Sequence, residues 1–139
     1  MKPKTITIRQ KAVIPAPPSQ VYDAFVDSKK HSEFTGSKAT GKPIVGSKFT
    51  AWDDYIMGKY LEIEKGKRLV QEWTTTDWPD GYPPSRLELT FTEHEDGTEV
   101  ALVQHDVPVE QAEEIKQGWI DFYWEPLKDY FQKQRPTRK

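Results

Sequence analysis

The chain has 139 residues, a formal net charge of -2 at pH 7 and a mean hydropathy of -0.81, which predict one water-exposed domain with a sizeable core. A charge this close to zero argues against nucleic acid or an anionic membrane as the partner. The sequence contains no cysteine, so disulfides, thiol nucleophiles and cysteine-ligated metals are excluded.

Neither a signal peptide nor a membrane span is predicted from the sequence. The first residues lead directly into an alternating strand, and the longest uncharged stretch, residues 12–22, contains three prolines. We therefore expect a cytoplasmic protein with a single domain over residues 1–139. The basic residues near its end predict a frayed, solvated tail at about residues 133–139.

The first predicted element is a strand over residues 5–14. Its apolar residues share one face: Ile6, Ile8, Ala12 and Ile14. Prolines at 15, 17 and 18 end this strand and favour entry into a short helix. A second short helix is predicted over residues 28–34, ending near Gly36.

The middle of the chain has the alternation and turn signals of an antiparallel meander. Strands are predicted around residues 47–52, 57–64, 69–75, 85–93 and 98–105. The turns between them are marked by glycine at 66, 81 and 97. Within the second of these turns, Trp78 is expected to pack over the hairpin.

A long helix is predicted over residues 109–132. Its apolar residues recur at spacings of three and four: Ile115, Trp119, Phe122, Tyr123, Pro126, Leu127 and Tyr130. Because Pro126 has no N–H to donate to the Phe122 carbonyl, we expect a bend there and an unpartnered carbonyl. Gly118 predicts that another part of the chain approaches the helix closely.

The element order predicts an α+β fold in which an antiparallel sheet of about six or seven strands wraps around the terminal helix. More specific motifs run through the chain in a fixed order: Trp73, the turn at 78–81, the strand start at 98–100, Val107-Pro108, Gln117-Gly118-Trp119 and Tyr123.

Together these motifs resemble the C-terminal-domain type of the family of activators of the 90-kDa heat-shock-protein ATPase, over roughly residues 15–132. The resemblance implies the helix-grip fold of START-like and Bet v 1-like proteins, within the SRPBCC superfamily. Two positions depart from the family pattern, which often has arginine at Thr74 and usually histidine at Tyr82. We expect no counterpart, before the first strand, of the separate N-terminal domain with which eukaryotic relatives engage the chaperone.

No catalytic or metal-binding residues and no cofactor are predicted. The three histidines, His31, His94 and His105, lack a base or ligand partner at a recognisable spacing, so we expect surface or structural roles. The resemblance also leaves an alternative open, because START-like folds include cyclases and hydrolases.

The predicted functional site is an apolar cavity between the sheet and the final helix. Its candidate ligand-binding residues are Trp52, Tyr60, Trp73, Leu87, Leu89, Phe91, Leu102, Trp119, Phe122 and Tyr123. Gln71, Glu72 and Gln104 are possible orienting groups, although strand parity does not say which of them faces inward.

Two functions of different kinds follow from this reading. In the first, a hydrophobic small molecule such as a lipid, a polyketide or an aromatic metabolite binds in the cavity. In the second, suggested by the resemblance, the surface binds a heat-shock chaperone and stimulates its ATPase. A cavity of roughly 300 Å³ or more favours the first function.

Overall fold

A computed structural model describes residues 4–134, which form a seven-stranded antiparallel sheet and helices on its concave side. The strands are β1 Thr5–Ile14, β2 Thr40–Gly41, β3 Lys48–Ala51, β4 Ile56–Glu64, β5 Arg68–Thr75, β6 Ser85–His94 and β7 Gly97–Pro108. Their order across the sheet is β1-β7-β6-β5-β4-β3-β2, so β2 to β7 form a meander and β1 pairs with its last strand. The predicted helix-grip fold is confirmed.

Two short helices, α1 (Pro18–Val26) and α2 (Ser28–Thr35), connect β1 to β2. A long C-terminal helix, residues 109–134, follows β7. It consists of a 3₁₀ turn (Val109–Gln111), α3 (Ala112–Trp119), a π-helical turn (Ile120–Trp124) and α4 (Glu125–Gln134). None of the described helices combines the length and the apolar character that crossing a membrane requires. Of the predicted basic tail, residues 135–139 lie outside the described part of the chain.

Local capping sets the ends of the early helices. Pro18 occupies the first turn of α1, where its missing N–H removes no helical hydrogen bond. The Asp27 carboxylate accepts the Lys30 N–H at 3.1 Å and caps α2. Gly36, with φ of 78°, ends α2 in the left-handed conformation, which confirms the predicted stop.

The core is formed by the alternating inward residues of the sheet. On β6 and β7, Leu89 pairs with Leu102 and Phe91 with Val100, and all four side chains are buried. Removing each of them from water contributes about 1.5–3 kcal/mol to folding. The same alternation leaves charged residues on the convex face of these strands.

Ile6, which alternation puts on the same face as the buried residues Ile8, Ala12 and Ile14, is 39% exposed. The pairing of β1 with β7 shifts between Ile6–Val107 and Ile8–Gln104, where β7 contains one residue more than β1. Asp106, with φ of 62°, lies in this bulge. Ile6 lies beyond the irregularity, on an edge strand, where the regular burial pattern no longer holds.

The interruption predicted at Pro126 is present as a π-helical turn immediately before it. The Glu125 N–H donates to the Ile120 carbonyl, five residues earlier instead of four. Pro126 then falls at the second residue of α4, within the first turn, where no helical N–H is required.

The π-helical turn moves the buried face of the helix by one residue. The predicted apolar face of this segment contains Trp119, Phe122, Tyr123, Pro126, Leu127 and Tyr130. The buried residues are Trp119, Tyr123 and Leu127 from that face, together with Trp124 and Phe131, each one residue further along than Tyr123 and Tyr130. Phe122 is 53% exposed, so its predicted place on the buried face is wrong. The extra residue in the π-helical turn explains the shift.

Two alanine substitutions two positions apart test this register. Trp124→Ala removes a fully packed indole and is expected to cost about 3–5 kcal/mol of unfolding free energy. Phe122→Ala is expected to cost less than about 1 kcal/mol, because its ring already contacts solvent. Urea denaturation of both variants provides the measurement. Equal losses, or a larger loss at Phe122, would contradict the shifted register.

Candidate functional site

A cavity of about 430 Å³ opens between the C-terminal helix and the ends of strands β3, β4 and β5. We call it the aromatic groove. Its lining residues are Trp52, Tyr55, Ile56, Trp73, Thr75, Asp77, Gln111, Glu114, Ile115, Gly118, Trp119, Phe122 and Tyr123. The volume exceeds the roughly 300 Å³ that favours small-molecule binding.

Aromatic rings in mutual contact form the walls of the groove. The ring centroid of Trp119 lies 4.7 Å from that of Tyr123 and 5.8 Å from that of Trp73. At the mouth, Trp52 from the sheet meets Phe122 from the helix edge-to-face, with centroids 5.3 Å apart. The π-helical turn places Phe122 at this mouth by turning its ring away from the core.

The β3–β4 turn supplies the outer wall in a costly backbone conformation. Trp52, Asp53 and Asp54 have φ of 55°, 55° and 72°, each costing about 1–2 kcal/mol in a non-glycine residue. Asp53 holds the turn through two bonds to Lys38, donating its N–H to the Lys38 carbonyl and accepting the Lys38 N–H, both at 3.0 Å. The Trp52 indole N–H is buried and interacts with the Tyr123 hydroxyl, which opposes the rise in the pKa of Tyr123, although the contact is too poorly aligned or too long for a full hydrogen bond.

A buried chain of hydrogen bonds supports the inner wall. The Trp119 indole N–H donates to Gln104 Oε1 at 2.9 Å, and Gln104 Nε2 donates to Ser85 Oγ at 3.0 Å. The Ser85 hydroxyl donates in turn to the Trp73 carbonyl at 2.6 Å. This chain ties the helix to three strands and fixes the orientation of the Trp119 ring.

The buried side chains also decide which of the proposed orienting groups faces inward. Gln104 and Gln71 are both buried, whereas Glu72 lies half-buried on the opposite face of β5. Gln104 is fully engaged in the chain behind Trp119. Its role is therefore to hold an aromatic wall.

A second buried pair fixes Tyr123. His31 Nδ1 lies 3.0 Å from the Phe25 carbonyl, and His31 Nε2 lies 3.0 Å from the Tyr123 hydroxyl. Because a carbonyl only accepts, Nδ1 carries the proton and the Tyr123 O–H donates to Nε2. Burial lowers the pKa of His31 and raises the pKa of Tyr123, so both side chains are neutral at pH 7.

Polar groups surround the mouth on the side of β5. Asp77 Oδ1 accepts the Thr75 hydroxyl at 2.6 Å and the Tyr55 hydroxyl at 2.9 Å. The Thr75 hydrogen bond is the main cause that lowers the pKa of Asp77. Burial, followed by the hydrogen bond to Asp77, raises the pKa of Tyr55, and the charge of Glu114 adds a smaller effect in the same direction.

The aromatic groove contains half of the sequence-predicted ligand-binding residues. These are Trp52, Trp73, Trp119, Phe122 and Tyr123. Tyr60, Leu87 and Leu89 line a separate buried cavity of about 20 Å³, which is enough for one water molecule. Phe91 and Leu102 are buried in the core and line neither cavity. Ligand binding by any of the ten stays a prediction.

Sequence reasoning missed the other eight lining residues of the groove. They are Tyr55, Ile56, Thr75, Asp77, Gln111, Glu114, Ile115 and Gly118. Most of them lie at strand ends or on the side of a helix, where the hydrophobic periodicity does not identify them. The nearest feature that the sequence did identify is the turn containing Trp78, whose indole N–H donates to the Pro83 carbonyl. The predicted close approach at Gly118 is wrong, since a Cβ there would first meet Phe122 Cδ2 at 3.7 Å.

Comparisons with known proteins agree on one family. The family model described as Activator of Hsp90 ATPase homolog 1-like protein matches residues 15–132. Human Activator of 90 kDa heat shock protein ATPase homolog 1 is 28% identical over 131 residues, which are 94% of this chain and 38% of the human protein. The Dictyostelium discoideum homologue is 32% identical over 121 residues, which are 85% of this chain and 31% of that protein.

The chain therefore spans about a third of the length of these curated relatives. Among solved structures, an HSP90 activator from Plasmodium falciparum superposes with a TM-score of 0.83 at 23% identity. The match covers 91% of this chain and 96% of that one. At this identity the likeness shows the shared fold.

The buried histidine predicts a specific pH dependence of stability. Because the pKa of His31 is lower in the folded protein, the unfolded chain takes up a proton that the folded chain does not, as pH falls below about 6.5. Stability is expected to fall from pH 7 to 5, with a slope from His31 of up to about 1.4 kcal/mol per pH unit. Urea unfolding of wild type and His31→Gln across this range measures it. Identical slopes in the two proteins would refute the assignment.

Proposed function

This chain belongs to the family of Activator of Hsp90 ATPase homolog 1-like proteins, and from that premise we propose that it is a non-enzymatic protein that binds an apolar small molecule in the aromatic groove. The observation that carries the proposal is the groove itself. Its volume of about 430 Å³ and the six aromatic side chains among its thirteen lining residues suit a flat or chain-like ligand. A cytoplasmic location is part of the proposal, and the cysteine-free sequence supports it.

Preorganisation of the walls supports the same proposal. The hydrogen-bond chain from Trp119 to Ser85 and the His31–Tyr123 pair hold aromatic rings that would otherwise lose freedom on binding. Ordering a side chain at an interface costs about 0.5–1.5 kcal/mol. A ligand entering fixed walls avoids much of that cost, so apolar burial at about 25 cal/mol per Å² contributes more directly to affinity.

The β3–β4 turn gives independent support. Its three left-handed residues and the incompletely satisfied Trp52 indole N–H make this part of the wall energetically costly. Strained backbone and unsatisfied polar groups concentrate at functional sites, where a ligand recovers part of the cost. The strain lies at the mouth of the groove, where a ligand would enter.

A chaperone partner is the second candidate function. The human and Dictyostelium relatives are named activators of the 90-kDa heat-shock-protein ATPase. In this chain, Phe122 and Tyr55 are 53% and 45% exposed at the mouth of the groove, and Met57 on the neighbouring strand is 40% exposed. Exposed apolar residues of this size also suit a protein contact.

Phe122→Ala provides the test of the small-molecule proposal. A thermal-shift screen with neutral sterols, flavonoids, polyketides and long-chain alcohols first selects a probe. Phe122→Ala is then expected to weaken binding of that probe about tenfold, because one wall of the mouth is lost. Ile120→Ala is the matched control, since Ile120 is similarly exposed on the same helix and does not line the groove.

The outcomes separate the two candidate functions. Stabilisation by a probe that Phe122→Ala weakens and Ile120→Ala does not supports the groove as a binding site. Absence of stabilisation by any probe, together with capture of the 90-kDa chaperone and stimulation of its ATPase, would overturn the small-molecule proposal in favour of the chaperone partner.

A further inference from the structure

The charges around the aromatic groove are all of one sign. Of its thirteen lining residues, Asp77 and Glu114 carry carboxylates, and none is lysine, arginine or histidine. Asp77 lies just after β5 and Glu114 on α3, so the two acids approach the mouth from the sheet and from the helix. The Tyr55 hydroxyl donates to Asp77 Oδ1 at 2.9 Å, and the charge of Glu114 adds a smaller electrostatic effect on the same hydroxyl.

Neither carboxylate is neutralised by a neighbour. Within the described part of the chain, Asp77 and Glu114 take part in no ion pair. The adjacent Glu113 differs, because it pairs with Lys116 at 3.7 Å and its side chain is 91% exposed. The negative charge at the mouth is therefore available to a ligand.

The aromatic walls add to the attraction that the two carboxylates exert on a cation. The faces of tryptophan, tyrosine and phenylalanine attract a cation through the ring quadrupole, and Trp73, Trp119 and Phe122 present such rings below the carboxylates. Apolar walls also lower the local dielectric, so charges interact more strongly there than in bulk water. An anionic head group would meet two carboxylates and no compensating cation.

We infer that the aromatic groove selects an organic cation, a small aromatic or aliphatic body bearing a protonated amine or a quaternary ammonium group. The body packs against the wall that Trp73 and Trp119 form, and the cation lies at the mouth, where Asp77 and Glu114 line the groove. This inference rests on the proposed function and adds the charge of the ligand to it. Fatty acids and other carboxylates are excluded as preferred ligands.

Three probes with one shared body test the inference. Naphthylmethylammonium, naphthylmethanol and naphthoate differ mainly in the charge of the head group, and calorimetric titration at low ionic strength ranks their affinities. The ammonium compound is expected to bind about fivefold more tightly than the alcohol, and the carboxylate about fivefold more weakly. Added salt is expected to narrow these differences.

A charge-neutralising variant tests whether the preference for the ammonium compound comes from the carboxylates at the mouth of the groove. Glu114→Gln is expected to reduce the preference for the ammonium compound over the alcohol about threefold, mainly by weakening the binding of the ammonium compound. Glu113→Gln is the matched control. It removes the same charge from the neighbouring residue, whose side chain lies outside the groove. Asp77→Asn supplies the second test from the sheet side.

Failure of the inference and failure of the proposed function give different results. If the three probes bind equally, or if Glu113→Gln changes the preference as much as Glu114→Gln, the charge selection is overturned while the groove remains a binding site. If none of the three binds, both are overturned.

Discussion

Pro126 has no N–H to donate to the preceding turn, and the C-terminal helix meets this constraint with a π-helical turn. The additional residue in that turn advances the buried stripe, so Trp124 and Phe131 enter the core and Phe122 does not. Phe122 is thereby released to the surface, where it meets Trp52 and completes the mouth of the groove. One missing donor thus determines both the packing of the helix and the shape of the site.

The groove also depends on polar groups that are buried behind its aromatic walls. Gln104 and Ser85 bridge Trp119 to the main chain of β5, and His31 holds Tyr123. Each hydrogen bond contributes only about 0.5–1.5 kcal/mol net, yet an unsatisfied buried partner costs about 1–3 kcal/mol. The arrangement therefore favours one orientation of the rings over its alternatives, and it keeps the cavity from collapsing onto itself.

Sequence periodicity predicted the elements of this fold but not the phase of its longest helix. Along β6 and β7, apolar residues alternate with charged or polar residues, so the buried face of each strand follows directly from the sequence. In the helix, Pro126 indicated where regular hydrogen bonding stops. Whether the helix bends or forms a π-helical turn there depends on tertiary packing, in particular on how Trp124 fits into the core. For the same reason Asp77 and Glu114 went unrecognised, because their meeting at one mouth depends on how the helix lies over the sheet.

The five tryptophans provide the most direct test of the central claim that the groove binds an apolar ligand. Trp52, Trp73 and Trp119 line it, whereas the indole N–H groups of Trp78 and Trp124 are bonded to Pro83 and Gln10 outside it. In ¹H–¹⁵N spectra recorded during titration with naphthylmethanol, the indole signals of the first three are expected to shift together and the other two to stay in place. No shifts, or shifts confined to Trp78 and Trp124, would contradict the account.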